Sequence, residues 1–322
     1  MMVAGPPDPA DEAMVARANE RFAAEHRRRR KRRRPSRGGA LPNLVVIGGL
    51  KCGTTSLHHY LNLHPEVQMS RPKELNFFVA ELNWRFGHGW YTTHFDAGVP
   101  IRGESSPHYT NRPRFEGVAE RMQSVLGEVR LVYMVRDPVD RMLSHYLHNV
   151  AGGYEDRPLE EALTDADSSY VARSRYGYQL EPYVEAFGRE RIRILSREEL
   201  KGERAESMRS AFDFLGVDPG FSSAQFEREW ETGTAKRGGR FRVMDRAVRL
   251  PGLRALDRNF DRLPESLRWM VERVVHDPEA GEVPKPALTP ELRDRLAGLF
   301  RDDVAALEDL AGRSFGWLSP RR

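Results

Sequence analysis

The residues best suited to chemistry form a glycine-rich loop, Gly48–Ser56, between a short apolar run and a stretch with helical spacing. Main-chain N–H groups and the dipole of the following helix converge on such a turn, which makes it a site for an anion. Compared with the nucleotide-hydrolase pattern G-x-x-x-x-G-K-[ST], Gly48 and Gly53 fit, but Thr54 stands where the lysine is usual. The loop's lysine is Lys51 instead. The pattern predicts phosphate binding; the alternative is a glycine-rich turn with an exposed lysine.

A second segment with anion-binding potential follows another apolar run. Leu131–Val135 has the pattern of a buried strand and leads through Arg136 to a helix that begins near Val139. Parallel strands end at the same edge of a sheet, so we expect Arg136 to lie beside the glycine-rich loop. The alternative is that Arg136 forms an ion pair at the helix start with Asp137 or Asp140.

Together the two segments resemble the family of sulfotransferases that use 3′-phosphoadenosine 5′-phosphosulfate (PAPS). The resemblance rests on Gly49–Ser56, Tyr133–Pro138 and Arg141–Ser144. It implies that PAPS is the donor co-substrate, that no metal is needed, and that Arg136 and Ser144 bind the 3′-phosphate. For the 5′-phosphosulfate it implies binding by Lys51, Cys52, Gly53, Thr54, Thr55 and Ser56.

The segment Arg71–Phe78 resembles the glycan branch of that family, nearest to the heparan sulfate-type and bacterial enzymes. Those enzymes carry a catalytic glutamate followed by two aromatic residues, which implies that Glu74 is the general base. A carboxylate near the acceptor hydroxyl can take its proton in the transition state, and Lys73 could keep Glu74 ionised or contact the donor. The alternative is a surface Lys–Glu pair. Three histidines could serve as the base instead: His94, His108 and His145.

Other positions depart from the heparan-modifying enzymes or leave a choice open. Ser105 stands where those enzymes have a lysine, and Asn76 stands where they have a histidine. These departures argue against heparan-like polyanionic acceptors. Family members also close the donor pocket with a basic loop before the last helix, and this loop is predicted at Lys285 or, as second choice, at Arg240.

The order of predicted elements is that of an α/β protein. Apolar runs predict strands at 44–48, 131–135 and 192–195, and helical spacing predicts helices at 54–63, 139–149 and 178–187. Beyond residue 202 the spacing is mostly helical. This order predicts a P-loop-like three-layer fold with a central parallel sheet flanked by helices and a helical carboxyl-terminal part.

Composition divides the chain into a basic tail and a domain. Residues 1–40 hold 11 Lys and Arg against 5 Asp and Glu, and the rest of the chain has a net charge of −2. We expect residues 1–40 to be a disordered tail that could contact anionic surfaces, and residues 41–322 to form a single sulfotransferase domain that does not bind nucleic acid. No apolar run is long enough to cross a membrane and no secretory signal is evident, which favours the cytoplasm.

These patterns predict a transferase that moves a sulfuryl group from PAPS to an acceptor hydroxyl, on a sugar, glycan or glycosylated small molecule. Two alternatives stay open: a P-loop phosphotransferase that uses ATP, and a nucleic-acid or membrane adaptor that acts through Arg27–Arg34. The sequence leaves the oligomeric state open.

Overall fold

The protein folds around one parallel β-sheet. The computed structural model describes residues 8–29, 39–228 and 286–318. Its strands run in the order β2-β3-β1-β4-β5, and every described pairing between neighbours is parallel. The strands are β1 (Leu44–Gly48), β2 (Val67–Met69), β3 (Ile101–Ser105), β4 (Arg130–Val135) and β5 (Ile192–Ser196).

Helices flank this sheet. They are α1 (Pro9–Arg29), α2 (Thr54–Leu61), α3 (His88–Tyr91), α4 (Val118–Leu126), α5 (Pro138–Gly152), α6 (Leu159–Thr164), α7 (Ser169–Ala172), α8 (Tyr176–Phe187), α9 (Arg197–Gly202), α10 (Arg204–Leu215), α11 (Pro290–Gly298) and α12 (Arg301–Ala311). Short 3₁₀ turns occur at Trp84–Phe86, Thr92–His94, Arg189–Arg191 and Ala224–Glu227. Helix α12 packs on α8, and α11 packs on α5 and α6.

The two central strands are buried on both faces. All five residues of β1 are buried, as is every residue of β4 after Arg130. Helices on both faces of a parallel sheet require this continuous apolar composition, because neither face meets water. The apolar runs at 44–48 and 131–135 therefore predicted the central strands correctly.

The strand predicted at 192–195 is confirmed as β5, whereas β2 and β3 were missed. Strand β2 has only three residues, and β3 includes Arg102 and Glu104, so neither produces a long apolar run. The helix predicted at 139–149 is confirmed and begins one residue earlier, where Asp137 accepts hydrogen bonds from the first turn.

The structure differs from the expectation of a tail over residues 8–20. These residues belong to α1 and the residue before it, and the Asp8 and Asp11 side chains are buried against the rest of the protein. The reason is charge pairing, since both carboxylates contact basic or amide side chains of the sheet domain. A boundary at residue 40 stays a prediction. In the described ranges, no helix combines the length and the apolar character that a membrane span requires.

Candidate active site

A cleft of about 600 Å³ opens where β1 and β4 end. These two strands are neighbours in the sheet, so the loops that follow them meet at one edge. Predicted site residues that line the cleft are Lys51, Gly53, Thr54, Thr55, Glu74, Arg136 and Ser144. The structure thus brings together two motifs that lie far apart in the sequence.

The glycine-rich loop turns sharply before α2. Lys51 has a φ of 69°, and Gly53, which precedes the helix, has a φ of 90°. Glycine adopts this left-handed conformation without strain, and the turn leaves Gly53, Thr54 and Thr55 along the cleft. The amino end of α2 therefore faces the cleft with its main-chain donors.

Two residues predicted to bind the donor do not line the cleft. The Cys52 side chain points into the core, where its Sγ lies 3.7 Å from the Tyr176 hydroxyl, and burial raises the pKa of its thiol to about 11. Ser56 is buried in the first turn of α2 and is also absent from the cleft wall. The loop therefore offers Lys51 and the two threonines, rather than the thiol or the Ser56 hydroxyl.

Arg136 lies at the end of β4 with its guanidinium mostly buried. Its side-chain Nε is shielded from solvent and has no hydrogen-bond partner among the described residues. At the helix start, Arg293 forms the ion pairs, contacting Asp137 at 2.7 Å and Asp140 at 2.9 Å. Arg293 thus takes the ion-pair position that the alternative interpretation gave to Arg136. A buried donor without a partner fits an anionic group of a ligand.

Glu74 and Lys73 form a pair at the edge of the glycine-rich loop. The Lys73 Nζ lies 2.7 Å from Glu74 Oε1 and 3.5 Å from Thr54 Oγ1. Lys73 thus connects the candidate base to the candidate donor loop. The Glu74 side chain keeps 42% of its surface exposed, so the ion pair alone adds little stability.

Glu104 is a buried residue beneath this segment that the sequence interpretation did not assign. Its carboxylate accepts hydrogen bonds from the hydroxyls of Tyr91, Ser106 and Tyr109 at 2.6–2.7 Å. The Ser106 hydroxyl also accepts a hydrogen bond from the main-chain N–H of Asn76, and the Tyr109 hydroxyl accepts one from the main-chain N–H of Phe77. Glu104 therefore organises the hydroxyls that hold the backbone just after Glu74.

The Glu104 anchor supports a backbone that is strained. Glu74 and Asn76 have φ values of 66° and 48°, which non-glycine residues seldom adopt. Such conformations persist where surrounding contacts determine them, and they occur often at functional sites. Burial raises the pKa of Glu104, while its hydrogen-bond donors oppose that rise. No local signal in the sequence marked Glu104, because its strand also contains Arg102 and lacks an apolar run.

Three histidines were alternatives for the base, and the structure separates them. His94 bonds to the Tyr91 carbonyl and does not line the cleft. His108 and His145 do line it, but His108 lies against the buried carboxylate of Asp11 in α1 and His145 against that of Asp8, just before α1. Burial and the charge of Arg173 lower the pKa of His108, and burial lowers the pKa of His145 to about 3.

The remaining predicted residues lie elsewhere. Ser105 is buried, its hydroxyl bonds to His58 Nδ1 at 3.0 Å, and it does not line the cleft. Asn76 lines the cleft beside Glu74. Lys285 and Arg240, the two candidates for a basic loop over the donor, lie outside the described residues.

The fold and the cleft define an α/β protein with a cleft at the carboxyl ends of two parallel strands. Residues 41–234 match the family model described as the sulfotransferase domain, which is more than half of the chain. The protein belongs to the sulfotransferase family, and the resemblance found in the sequence is confirmed.

Individual relatives agree with this membership. The chain is 31% identical over 204 residues to the membrane-associated sulfotransferase kil1 of Dictyostelium discoideum, covering 59% of this chain and 40% of that protein. It is 28% identical over 195 residues to heparan sulfate glucosamine 3-O-sulfotransferase 5 of Mus musculus, covering 56% of this chain and 55% of that protein. The chain therefore spans less than two thirds of the length of these curated relatives.

A solved structure shows the same fold. A sulfotransferase from Alicyclobacillus acidocaldarius superposes with a TM-score of 0.60 and 25% sequence identity. The superposition covers 86% of this chain and 99% of that chain. The predicted α/β architecture with a central parallel sheet is thus confirmed. The roles of individual cleft residues stay predictions.

Proposed function

We propose that the protein transfers a sulfuryl group from PAPS to an acceptor hydroxyl of a carbohydrate or glycosylated small molecule, giving PAP (3′-phosphoadenosine 5′-phosphate) and a sulfate ester. The observation that carries the proposal is the meeting of Lys51, Arg136, Ser144 and Glu74 around one cleft. Family membership supports the same reaction type. A donor site and a carboxylate base are the two parts that such a transfer needs.

The donor requires two anion sites, and the cleft has candidate residues for both. Lys51, with the threonines and main-chain donors at the start of α2, would hold the 5′-phosphosulfate. Arg136 and Ser144 would hold the 3′-phosphate, since a forked guanidinium and a hydroxyl are well suited to phosphate oxygens. The buried Nε of Arg136 would gain the partner that it lacks among the described residues.

The chemistry follows from charge placement. Glu74 would accept the proton of the acceptor hydroxyl as its oxygen forms a bond to sulfur. The bond between sulfur and the bridging phosphate oxygen breaks, and Lys51 would stabilise the negative charge on that oxygen. Lys73, at 2.7 Å from Glu74, would favour the ionised carboxylate that the reaction requires.

The acceptor class is inferred from relatives and from the departures at two positions. The Mus musculus relative is named as a heparan sulfate glucosamine 3-O-sulfotransferase, which supports a sugar hydroxyl as acceptor. Ser105 and Asn76 replace residues of the heparan-modifying enzymes, and Ser105 is buried away from the cleft. We therefore favour sugars of low negative charge over polyanionic chains.

The direct test is transfer of labelled sulfate from PAPS to a panel of glycans, glycosides, phenols and alcohols, with and without a metal chelator. Lys51→Ala is expected to lower the transfer rate by about 10²–10³-fold and Glu74→Gln by about 10²–10⁴-fold. Lys201→Ala and Glu66→Gln, at exposed positions, are the matched controls. Wild-type rates in the Glu74→Gln protein would remove Glu74 as the base.

Ligand stabilisation separates the alternatives. PAP is expected to raise the melting temperature more than ATP with Mg²⁺, because only PAP carries a 3′-phosphate for Arg136. Stabilisation by ATP and not by PAP would favour the phosphotransferase. Absence of stabilisation by either nucleotide, with binding to nucleic acid or anionic vesicles instead, would favour the adaptor.

A further inference from the structure

Helix α1 contributes a wall to the cleft, although it lies outside the segment that matches the family model. Its cleft-facing residues are Ala10, Asp11, Met14, Arg17 and Ala18, which recur at helical spacing on one face. Ala16 and Glu20 are exposed and do not line the cleft. The helix thus presents one defined face to the space that also contains Glu74.

Asp8 fastens the amino end of α1 to α5. Its Oδ2 lies 3.1 Å from His145 Nε2, and the hydroxyl of Ser169 donates to the same oxygen at 2.7 Å. Asn149 donates at 3.2 Å to Oδ1. Burial alone would raise the pKa of Asp8, but His145, Arg173 and Ser169 together hold it well below its usual value. The contacts end next to Ser144, a predicted donor ligand.

Asp11 fastens the first turn of α1 to the other side of the cleft. It accepts a hydrogen bond from Asn111 at 2.7 Å and pairs with Arg173 at 3.3 Å. His108 lies 3.5 Å away. Asp11 and Arg173 are both almost fully buried. Breaking either carboxylate contact would leave buried polar groups without partners, so α1 is an integral wall.

Further along α1, two side-chain hydrogen bonds attach the helix to opposite sides of the cleft. Arg17 donates to the Tyr154 hydroxyl at 2.7 Å, just beyond α5. Arg85 donates to the Asn19 side chain at 2.6 Å, near the segment that follows Glu74. The helix therefore spans from the α5 side, where the donor is proposed to lie, to the side of the candidate base.

The chemistry of this wall indicates what it can accommodate. Ala10, Met14 and Ala18 are apolar, and Leu82 and Pro107 add apolar surface to the same cleft. Arg173 pairs with Asp11 through Nη1 and with His108 through Nη2, so these two nitrogens are not available to a chain of sulfates. A small hydroxyl carrier with an apolar portion would bury that portion here, whereas a polyanion would meet the half-exposed carboxylate of Glu74.

We propose that the cleft-facing side of α1, held in place by Asp8 and Asp11, forms the acceptor-side wall of the cleft and selects hydroxyl acceptors with an apolar portion over polyanionic glycans. This inference rests on the proposed function, because it names the acceptor class of the same site. It assigns binding and specificity to a helix that the sequence patterns treated as part of a tail.

The first test compares Met14→Glu with Ala16→Glu, which places the same charge on the exposed face of the helix. The acceptors are octyl β-D-glucopyranoside and a desulfated heparan oligosaccharide. Met14→Glu is expected to raise KM for the octyl glucoside about tenfold or more, with Kd for PAP within about threefold, and Ala16→Glu to change neither. An unchanged KM in Met14→Glu, or preference of the wild type for the oligosaccharide, would overturn the proposal.

The second test needs no acceptor. The double variant Asp8→Asn/Asp11→Asn loosens the wall, so water should reach bound PAPS and release labelled sulfate about fivefold faster or more than in the wild type. Calorimetry of PAP binding tests the donor site separately. If the wild type does not bind PAP, the proposed function is refuted. If the protein uses neither acceptor, the rate of PAPS hydrolysis is the deciding measurement. A double variant that folds and binds PAP but hydrolyses PAPS no faster than the wild type would reject the proposed wall.

Discussion

Two buried histidines should make the protein sensitive to mild acid. His58 on α2 and His145 on α5 are 6% and 1% exposed. Burial, followed by the charge of Lys73, lowers the pKa of His58 to about 3. Burial also lowers the pKa of His145 to about 3, with Arg141 adding to the effect and Asp8 opposing it. Both side chains are therefore neutral in the folded protein at pH values where the unfolded chain is protonated.

The sign and size follow from linkage between protonation and unfolding. The unfolded state binds a proton below a pKa of about 6.5, whereas the folded state does so only near 3, so stability is complete above 6.5 and is lost as pH falls towards 3. Between about pH 8 and pH 5 each histidine should remove about 2 kcal/mol from the free energy of unfolding, or about 4 kcal/mol together. The lowered pKa of Asp8 adds stability that is complete above the pKa of the carboxyl in the unfolded chain, about 4, and is lost as pH falls below it. Asp8 therefore does not contribute to the decline between pH 8 and pH 5.

Urea denaturation at several pH values between about 8 and 5 measures this effect. His58→Gln and His145→Gln are each expected to lose some stability at pH 8, because hydrogen bonds are lost, but to decline by about 2 kcal/mol less than the wild type on acidification. His88→Gln, at an exposed position, is the control and should decline like the wild type. A decline in both buried variants that equals the wild-type decline would refute the assignment of neutral buried histidines.

Three further predictions concern the anchor, the donor and the amino-terminal segment. Glu104→Gln is expected to lower the free energy of unfolding by about 1–3 kcal/mol in urea denaturation and to slow transfer, because the glutamine NH₂ group is a donor where the hydroxyls need an acceptor. Unchanged stability would argue against the role of Glu104 as an anchor. Arg136→Ala should weaken PAP binding about tenfold or more by calorimetry, with adenosine 5′-phosphosulfate, which lacks the 3′-phosphate, almost unaffected; equal losses would place Arg136 elsewhere. Deletion of residues 1–40 should lower the melting temperature while PAP still binds, and loss of PAP binding in a folded protein would contradict the donor assignment.

The central strands and the loops at their ends were predictable because their signals are local. A strand buried on both faces must be apolar throughout, and Leu44–Gly48 and Leu131–Val135 meet that requirement. Parallel pairing then places Lys51 and Arg136 at one edge of the sheet without further information. That Cys52 faces the core was not visible, because a loop pattern does not fix the direction of each side chain.

The parts that could not be predicted depend on contacts between distant residues. Asp8 and Asp11 look like ordinary acidic residues near a helix start, and only the fold shows that Arg173 and His145 lie opposite them. Glu104 likewise resembles a solvent-facing residue of an edge strand, although three hydroxyls surround it in the core. Burial of charge depends on tertiary partners, and a periodicity argument does not identify them.

The inward orientation of Cys52 has a practical consequence for labelling. It is the single cysteine in the sequence, it is fully buried, and its raised pKa keeps the thiol protonated at neutral pH. Maleimides and oxidants act on accessible thiolates, so they should spare this position in the folded protein. A cysteine introduced on the exposed face of α1, for example at Ala16, would therefore carry a fluorophore at one defined place while the native thiol is left intact.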